Sequence, residues 1–146
     1  MTQRHCESKV GMEVAYLSMD PVTSTVGASQ VLAYIRRLAE RGVLVNLHSF
    51  EYRLDDRLRL EFEDQGVRWT AHRYGAGGTL GGLSRVLRLA RSIRGTQVAH
   101  ARSDMAAAAA MLAGVDRWLW DVRSFWADQK VATGVFSQGS PQARLF

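Results

Sequence analysis

The sequence predicts an α/β protein: a Rossmann-like open parallel sheet of about five strands, in the order 3-2-1-4-5, with helices on both faces. Three observations predict it. Short β-rich runs alternate with amphipathic stretches along most of the chain. Glycines and Ser/Asp caps stand at several of the changeovers. The first run, VAYLS from Val14 to Ser18, is almost continuously apolar, as a parallel strand covered on both faces must be. Right-handed crossovers between successive strands then place a switch point between strands 1 and 4. Ligands of such sheets meet the carboxyl ends of the strands there, which directs attention to the loops after strands 1, 4 and 5.

Each element has its own signal. After VAYLS comes a loop of Asp, Pro, Ser, Thr and Gly, Met19 to Ala28. Val31, Leu32, Ile35, Leu38 and Ala39 then recur at helical spacing, and Gly42 closes that helix. VLVNLHSF, Val43 to Phe50, is the second strand. Leu54, Leu58 and Phe62 fall at i, i+4 and i+8 of the next helix, with Asp55 and Asp56 near its positive end and Gly66 beyond it. VRWTAHRY, Val67 to Tyr74, is the third strand. The glycine-rich link GAGGTLGG introduces a helix reaching about Gly95, with Leu83, Val86, Leu87, Ala90 and Ile93 expected on its buried side. QVAHAR, Gln97 to Arg102, is the fourth strand. Ser103 and Asp104 cap an alanine-rich helix that ends at Gly114, and RWLWDV, Arg117 to Val122, is the fifth strand.

Residues 1–11 read as a polar tail and 12–146 as one domain, with a C-terminus (ARLF) that lacks a helix-ending signal and so reads as incomplete. No apolar run approaches the roughly 20 residues of a membrane span. The polar N-terminus has no signal-peptide core, and Cys6, the only cysteine, forms no internal disulfide or zinc pattern. These features favour a cytoplasmic protein without a metal. The net charge of +5 suits an anionic partner. No helix-turn-helix, zinc-finger or RNA-binding signature accompanies it, which argues against nucleic acid. Arg85, Arg88, Arg91 and Arg94 recur every third residue on one helix. A solvated face is the preferred reading, and weak contact with an anionic membrane surface is the second.

Three segments could carry chemistry. In the loop Met19 to Gln30, Gly27 and Ser29 stand where the helix is expected to begin. They serve either as a chain turn and a cap or as an anion-binding helix start. The loop is neither a dinucleotide fingerprint nor a P-loop. The fourth strand ends in His100 and Arg102. The histidine reads first as a core residue, and the guanidinium requires a partner: Asp104, Asp121 or a ligand, with a structural ion pair slightly preferred. The segment Asp121 to Asp128 packs two carboxylates, Arg123 and two aromatics into eight residues. It suits either a carbohydrate site or a packed turn with paired charges.

Taken together, VAYLSMDPVTSTVGASQVLAYIRRLAERGVLVNLHSFE, GVRWTAHRY, VAHARSDMAAAAAML and WLWDVRSFWADQKVATGVF resemble the N-terminal domain of glycosyltransferase family 4. The resemblance implies the acceptor-side half of a GT-B fold, in a retaining, metal-independent enzyme moving sugar from a nucleotide-diphosphate sugar to a glycan or lipid-linked acceptor. It implies no cofactor, with the nucleotide sugar gripped by a second, donor-binding half as a partner. It places Gly27 and Ser29 in the cleft loop and His100, Arg102, Asp121, Arg123 and Asp128 at the cleft edge. Where many relatives carry a histidine after strand 5, this chain has Arg123, a better phosphate clamp than proton shuttle. The family's donor-binding half is not in the sequence, so the chain is expected to be inactive alone. A non-catalytic subunit pairing with a separate donor-binding chain is the alternative.

Overall fold

The computed structural model describes residues 11–122 and Gly134. Strand β1 (Glu13–Ser18) is followed by α1 (Thr25–Gly27), which continues through a π-helical turn (Ala28–Leu32) into α2 (Ala33–Glu40). Then come β2 (Leu44–Glu51), α3 (Asp56–Asp64), β3 (Val67–Arg73), α4 (Gly78–Ser92), β4 (Val98–Arg102), α5 (Asp104–Ala113) and β5 (Arg117–Asp121). All strand pairs are parallel and the order is β3-β2-β1-β4-β5. The expected Rossmann-like sheet is therefore present, with the switch point between β1 and β4. No described helix is long and apolar enough to cross a membrane.

The alternation of side chains along each strand splits the core into two layers. Tyr16, Val45, Leu47 and Val67 pack with Val31, Leu32, Ile35 and Phe62 on the α2/α3 face. Ala15, Leu17, Phe50, Ala99 and Ala101 pack with α4 and α5 on the other. The alanines of α5 keep that helix thin, so α4 approaches closely. A Cβ added at Gly82 of α4 would come within 3.1 Å of Met105. Burial of this apolar surface is the main drive to fold.

Helix ends depart from expectation in instructive places. Ser24, not Ser29, caps α1: its Oγ accepts from Gly27 N at 3.1 Å and donates to the Pro21 carbonyl at 2.8 Å. Ser29 lies inside the π-turn. Asp55 caps α3, accepting from the Arg57 and Leu58 amides, and Leu54 lies outside the helix and exposed. On α4 the buried side is Gly82, Val86, Leu89 and Ala90, continued by Ile93 just past its end, while Leu83 and Leu87 face outward. Leucines recur so densely there that two faces a fraction of a turn apart look equally apolar. Packing on α5 selects the one carrying glycine and alanine.

The arginine row on α4 is only partly a solvated face. Arg85 Nη1 donates to the carbonyls of Tyr74 (3.4 Å) and Ala76 (2.9 Å), and its guanidinium stacks 4.4 Å over the Tyr74 ring. Arg88 donates to the Arg73 carbonyl at 3.2 Å. These two side chains hold the β3–α4 link against the helix, and Arg91 and Arg94 remain exposed.

Candidate functional site

At the switch point the C-terminal edges of β1 and β4 and the start of α1 enclose a cavity of about 230 Å³. Ser18, Asp20, Pro21, Ser24, Gly27, Val31 and Arg102 line it. Parallel register brings Ser18, Arg102 and Asp121 level across β1, β4 and β5. The volume is below the roughly 300–1,000 Å³ of drug-sized sites, and suits one small polar group.

The loop that roofs the cavity is fixed from beneath by a residue the sequence reading passed over. Glu51 closes β2 and is 2% exposed. Its Oε1 accepts from Val22 N (2.8 Å) and Ser49 Oγ (2.6 Å), and its Oε2 accepts from Thr23 Oγ1 (2.7 Å). Three donors for one carboxylate meet the requirement that a buried charge be fully hydrogen-bonded. An acid terminating an apolar strand was the available signal. Gly27 serves the same loop: a Cβ there would lie 2.4 Å from the Pro21 carbonyl oxygen. The glycine thus permits close approach of the chain to the helix, and its φ of −59° is ordinary helical backbone.

Arg102 is the opposite case. It is 6% exposed, and its Nη2 donates to Gln30 Oε1 at 2.6 Å. Neither Asp104 nor Asp121, the partners expected from sequence, forms an ion pair with it, and no other described carboxylate does. Gln30 reaches Arg102 from the π-turn of the first helix, 72 residues away in sequence. Such turns concentrate at functional sites. The following residue, Ser103, is the one non-glycine with positive φ among the described residues, at φ 119°, ψ 165°. That backbone region is close to glycine-only, and a serine held there stores strain beside the guanidinium.

An aromatic cluster stands behind Arg102. Tyr16 and His100 rings lie 4.7 Å apart, Tyr34 and His100 5.3 Å apart in a T-shaped contact. Burial pushes the Tyr16 hydroxyl above its ordinary pKa, and the adjacent Arg102 works the other way. Burial likewise pulls His100 below the usual imidazole value, opposed by Asp121. The His100 Nε2 to Asp121 Oδ2 separation is 3.7 Å, an ionic distance too long for a hydrogen bond. Nε2 is therefore buried without a hydrogen-bond partner.

Of the residues singled out by sequence, the structure brings Gly27 and Arg102 to the cavity, with His100 and Asp121 immediately behind and beside Arg102. Ser29 is on the helix and does not line it. Arg123 and Asp128 lie outside the described residues. A second depression of about 280 Å³, lined by Asp55, Asp56, Arg59 and Trp69 among others, sits at the β3 side and holds no buried charge.

Fold and site together define a Rossmann-like α/β domain with a polar cavity at its switch point, walled by Arg102 and Asp20. Comparison with protein-family models, curated proteins and solved structures returned no match.

Proposed function

We propose that this cavity binds the anionic group of a phosphorylated sugar or lipid-phosphate substrate. We further propose that the domain is the acceptor-side half of a retaining GT-B glycosyltransferase of the family 4 type. The observation that carries the reading is Arg102: a guanidinium withdrawn from water, with an amide but no carboxylate among its described partners, on the wall of a cavity where α/β sheets bind ligands. A planar fork of donors is suited to phosphate oxygens. Catalysis in the complete enzyme would rest on positioning and on stabilising the departing diphosphate, with a donor-binding half completing the cleft. Arg123, by resemblance, adds a second cation to that edge. A cytoplasmic site of action, at the inner face of a membrane for a lipid-linked acceptor, belongs to the same proposal.

Isothermal titration of the chain with polyprenyl-phosphate and glycan acceptors, beside UDP- and GDP-sugars, tests it. Binding of a phosphorylated acceptor, weakened about 10- to 100-fold in Arg102→Met, is the expected result, the range expected for a lost charge-assisted hydrogen bond. Acceptor binding that survives the substitution overturns the role of Arg102. Turnover of a nucleotide sugar by the chain alone overturns the half-enzyme reading.

A further inference from the structure

Among the described residues β5 is an edge of the sheet, and no described strand pairs with its outer side. Its sequence is Arg117-Trp118-Leu119-Trp120-Asp121, and Trp118, Leu119 and Trp120 are 36%, 59% and 48% exposed. Edge strands are normally blunted by lysine, proline, a bulge or an inward-pointing charge at mid-strand. This strand has an aromatic–aliphatic–aromatic centre instead, with its charges kept to the two ends.

The order of residues is self-complementary. Read about Leu119, the strand runs cation, aromatic, aliphatic, aromatic, anion. A second copy laid antiparallel on it, with Leu119 on the twofold axis, sets each Arg117 opposite the partner's Asp121. Each Trp118 then faces the partner's Trp120. The Arg117 guanidinium has no ion-pair partner among the described residues, so it is free for this one.

The backbone is in phase with the same register. Arg117 N donates to the Gln97 carbonyl on the β4 side. Amides alternate along a strand, so those of Arg117, Leu119 and Asp121 face β4 and those of Trp118 and Trp120 face outward. In the antiparallel register just described, Trp118 and the partner's Trp120 are the residues that exchange both backbone hydrogen bonds. Leu119 and the Arg117–Asp121 pairs fall at non-hydrogen-bonded positions, where side chains approach most closely. Both tryptophans lie on the α5 face, in register with Ala99 and Ala101 of β4.

We propose that two copies of this chain associate through β5 in an isologous, antiparallel pairing that makes one continuous ten-stranded sheet. The proposal is independent of what the cavity binds. A twofold interface of this kind is the commonest closed arrangement, and it covers the β5 edges of both copies at once.

Analytical ultracentrifugation of the full chain over a concentration series provides the test, using Arg117→Asp and Asp121→Arg. Each single variant sets like charges opposite each other twice, and is expected to raise the dimer dissociation constant about tenfold or more. Mixed one to one, the two variants restore opposite charges at both pairs, so a heterodimer re-forms with near wild-type affinity. A merely destabilising substitution would not be rescued by mixing. A wild-type chain that stays monomeric overturns the proposal. Slow amide exchange at Trp118 and Trp120 in such a monomer would show the chain covering its own edge. Dimers that persist unchanged in both single variants overturn it equally, by placing the interface elsewhere.

Discussion

Two buried charges stand at the carboxyl ends of β2 and β4, the strands that flank β1, and they are handled in opposite ways. Glu51, at the end of β2, receives three hydrogen bonds from groups of its own chain, two of them from the loop it supports. Arg102, at the end of β4, is nearly as buried but has Gln30 and the Tyr16 hydroxyl rather than a carboxylate. A buried ion is tolerated when its hydrogen-bonding capacity is filled, and is otherwise a cost the fold carries. The contrast separates architecture from site. The acid is part of what holds the loop in place, and the base has no such network, which is the difference the proposed anion site rests on.

Substitution breaks the comparison most sharply on the stability axis. Glu51→Ala strands the buried Val22 amide and Ser49 hydroxyl and releases the exposed Thr23 hydroxyl to water. It is expected to lower unfolding free energy by about 3–5 kcal/mol, as removal of one member of a buried charged network does. Arg102→Met should stay within about 1 kcal/mol of wild type, because the loss of the Gln30 contact is offset by the removal of a desolvated charge. Urea denaturation of both variants reads the difference. Equal losses would mean that Arg102 is structural after all and would remove the main support for an anion site.

The buried histidines sharpen the same contrast, since they are basic groups that can shed their charge while arginine cannot. His48 lies 5.8 Å from His72 in a stacked pair, and its Nδ1 is 3.4 Å from Ser92 Oγ. Burial, reinforced by His72, lowers the His48 pKa to about 4, and burial also lowers His72 and His100. In the unfolded chain all three protonate near 6.5, before the native state does. The His48 contribution is thus complete above about pH 6.5 and declines as pH falls toward 4, and those of His72 and His100 are lost in the same direction. His48, 7% exposed, accounts for on the order of 3 kcal/mol of that decline. Chemical denaturation at a series of pH values is expected to show it, and His48→Leu to flatten the slope. An unchanged slope in that variant would mean that His48 titrates as it does in the unfolded chain.

The fold was legible because its signals are local and repeated. Period-2 and continuous apolar runs marked all five strands, glycine marked several boundaries, and the parallel order followed from crossover handedness. The site was legible only where position in the fold implies a role. Arg102 was found because it ends a strand beside the switch point. Its partner Gln30 and the loop clamp Glu51 were not, because their contacts span 72 and 29 residues: nothing local announces Gln30, and an acid ending an apolar strand is the one signal Glu51 gives. The cap fell on Ser24 rather than Ser29 because Glu51 pulls the loop inward and lets the helix start one turn early. A sequence offering Thr23, Ser24, Thr25 and Ser29 as caps does not say which of them the tertiary structure will choose.

The smallest expected effect concerns the backbone that aims Arg102. Ser103 holds φ 119° and ψ 165°, a conformation that costs a non-glycine residue about 1–3 kcal/mol. Its side chain returns little, since Oγ accepts from Ala106 N only at 3.4 Å. Ser103→Gly relieves the strain and loses a weak cap, worth a few tenths of a kcal/mol. It also gives the unfolded chain about 0.5–1 kcal/mol of extra entropy. The balance is a gain of roughly 1 kcal/mol in stability, read as a higher urea midpoint at unchanged slope. Strain retained next to an uncompensated guanidinium makes sense if it points that group at a ligand, so the stabilised variant should bind its anion more weakly. A midpoint that falls instead would show that the serine cap outweighs the strain, and that the turn after β4 is shaped for α5 rather than for Arg102.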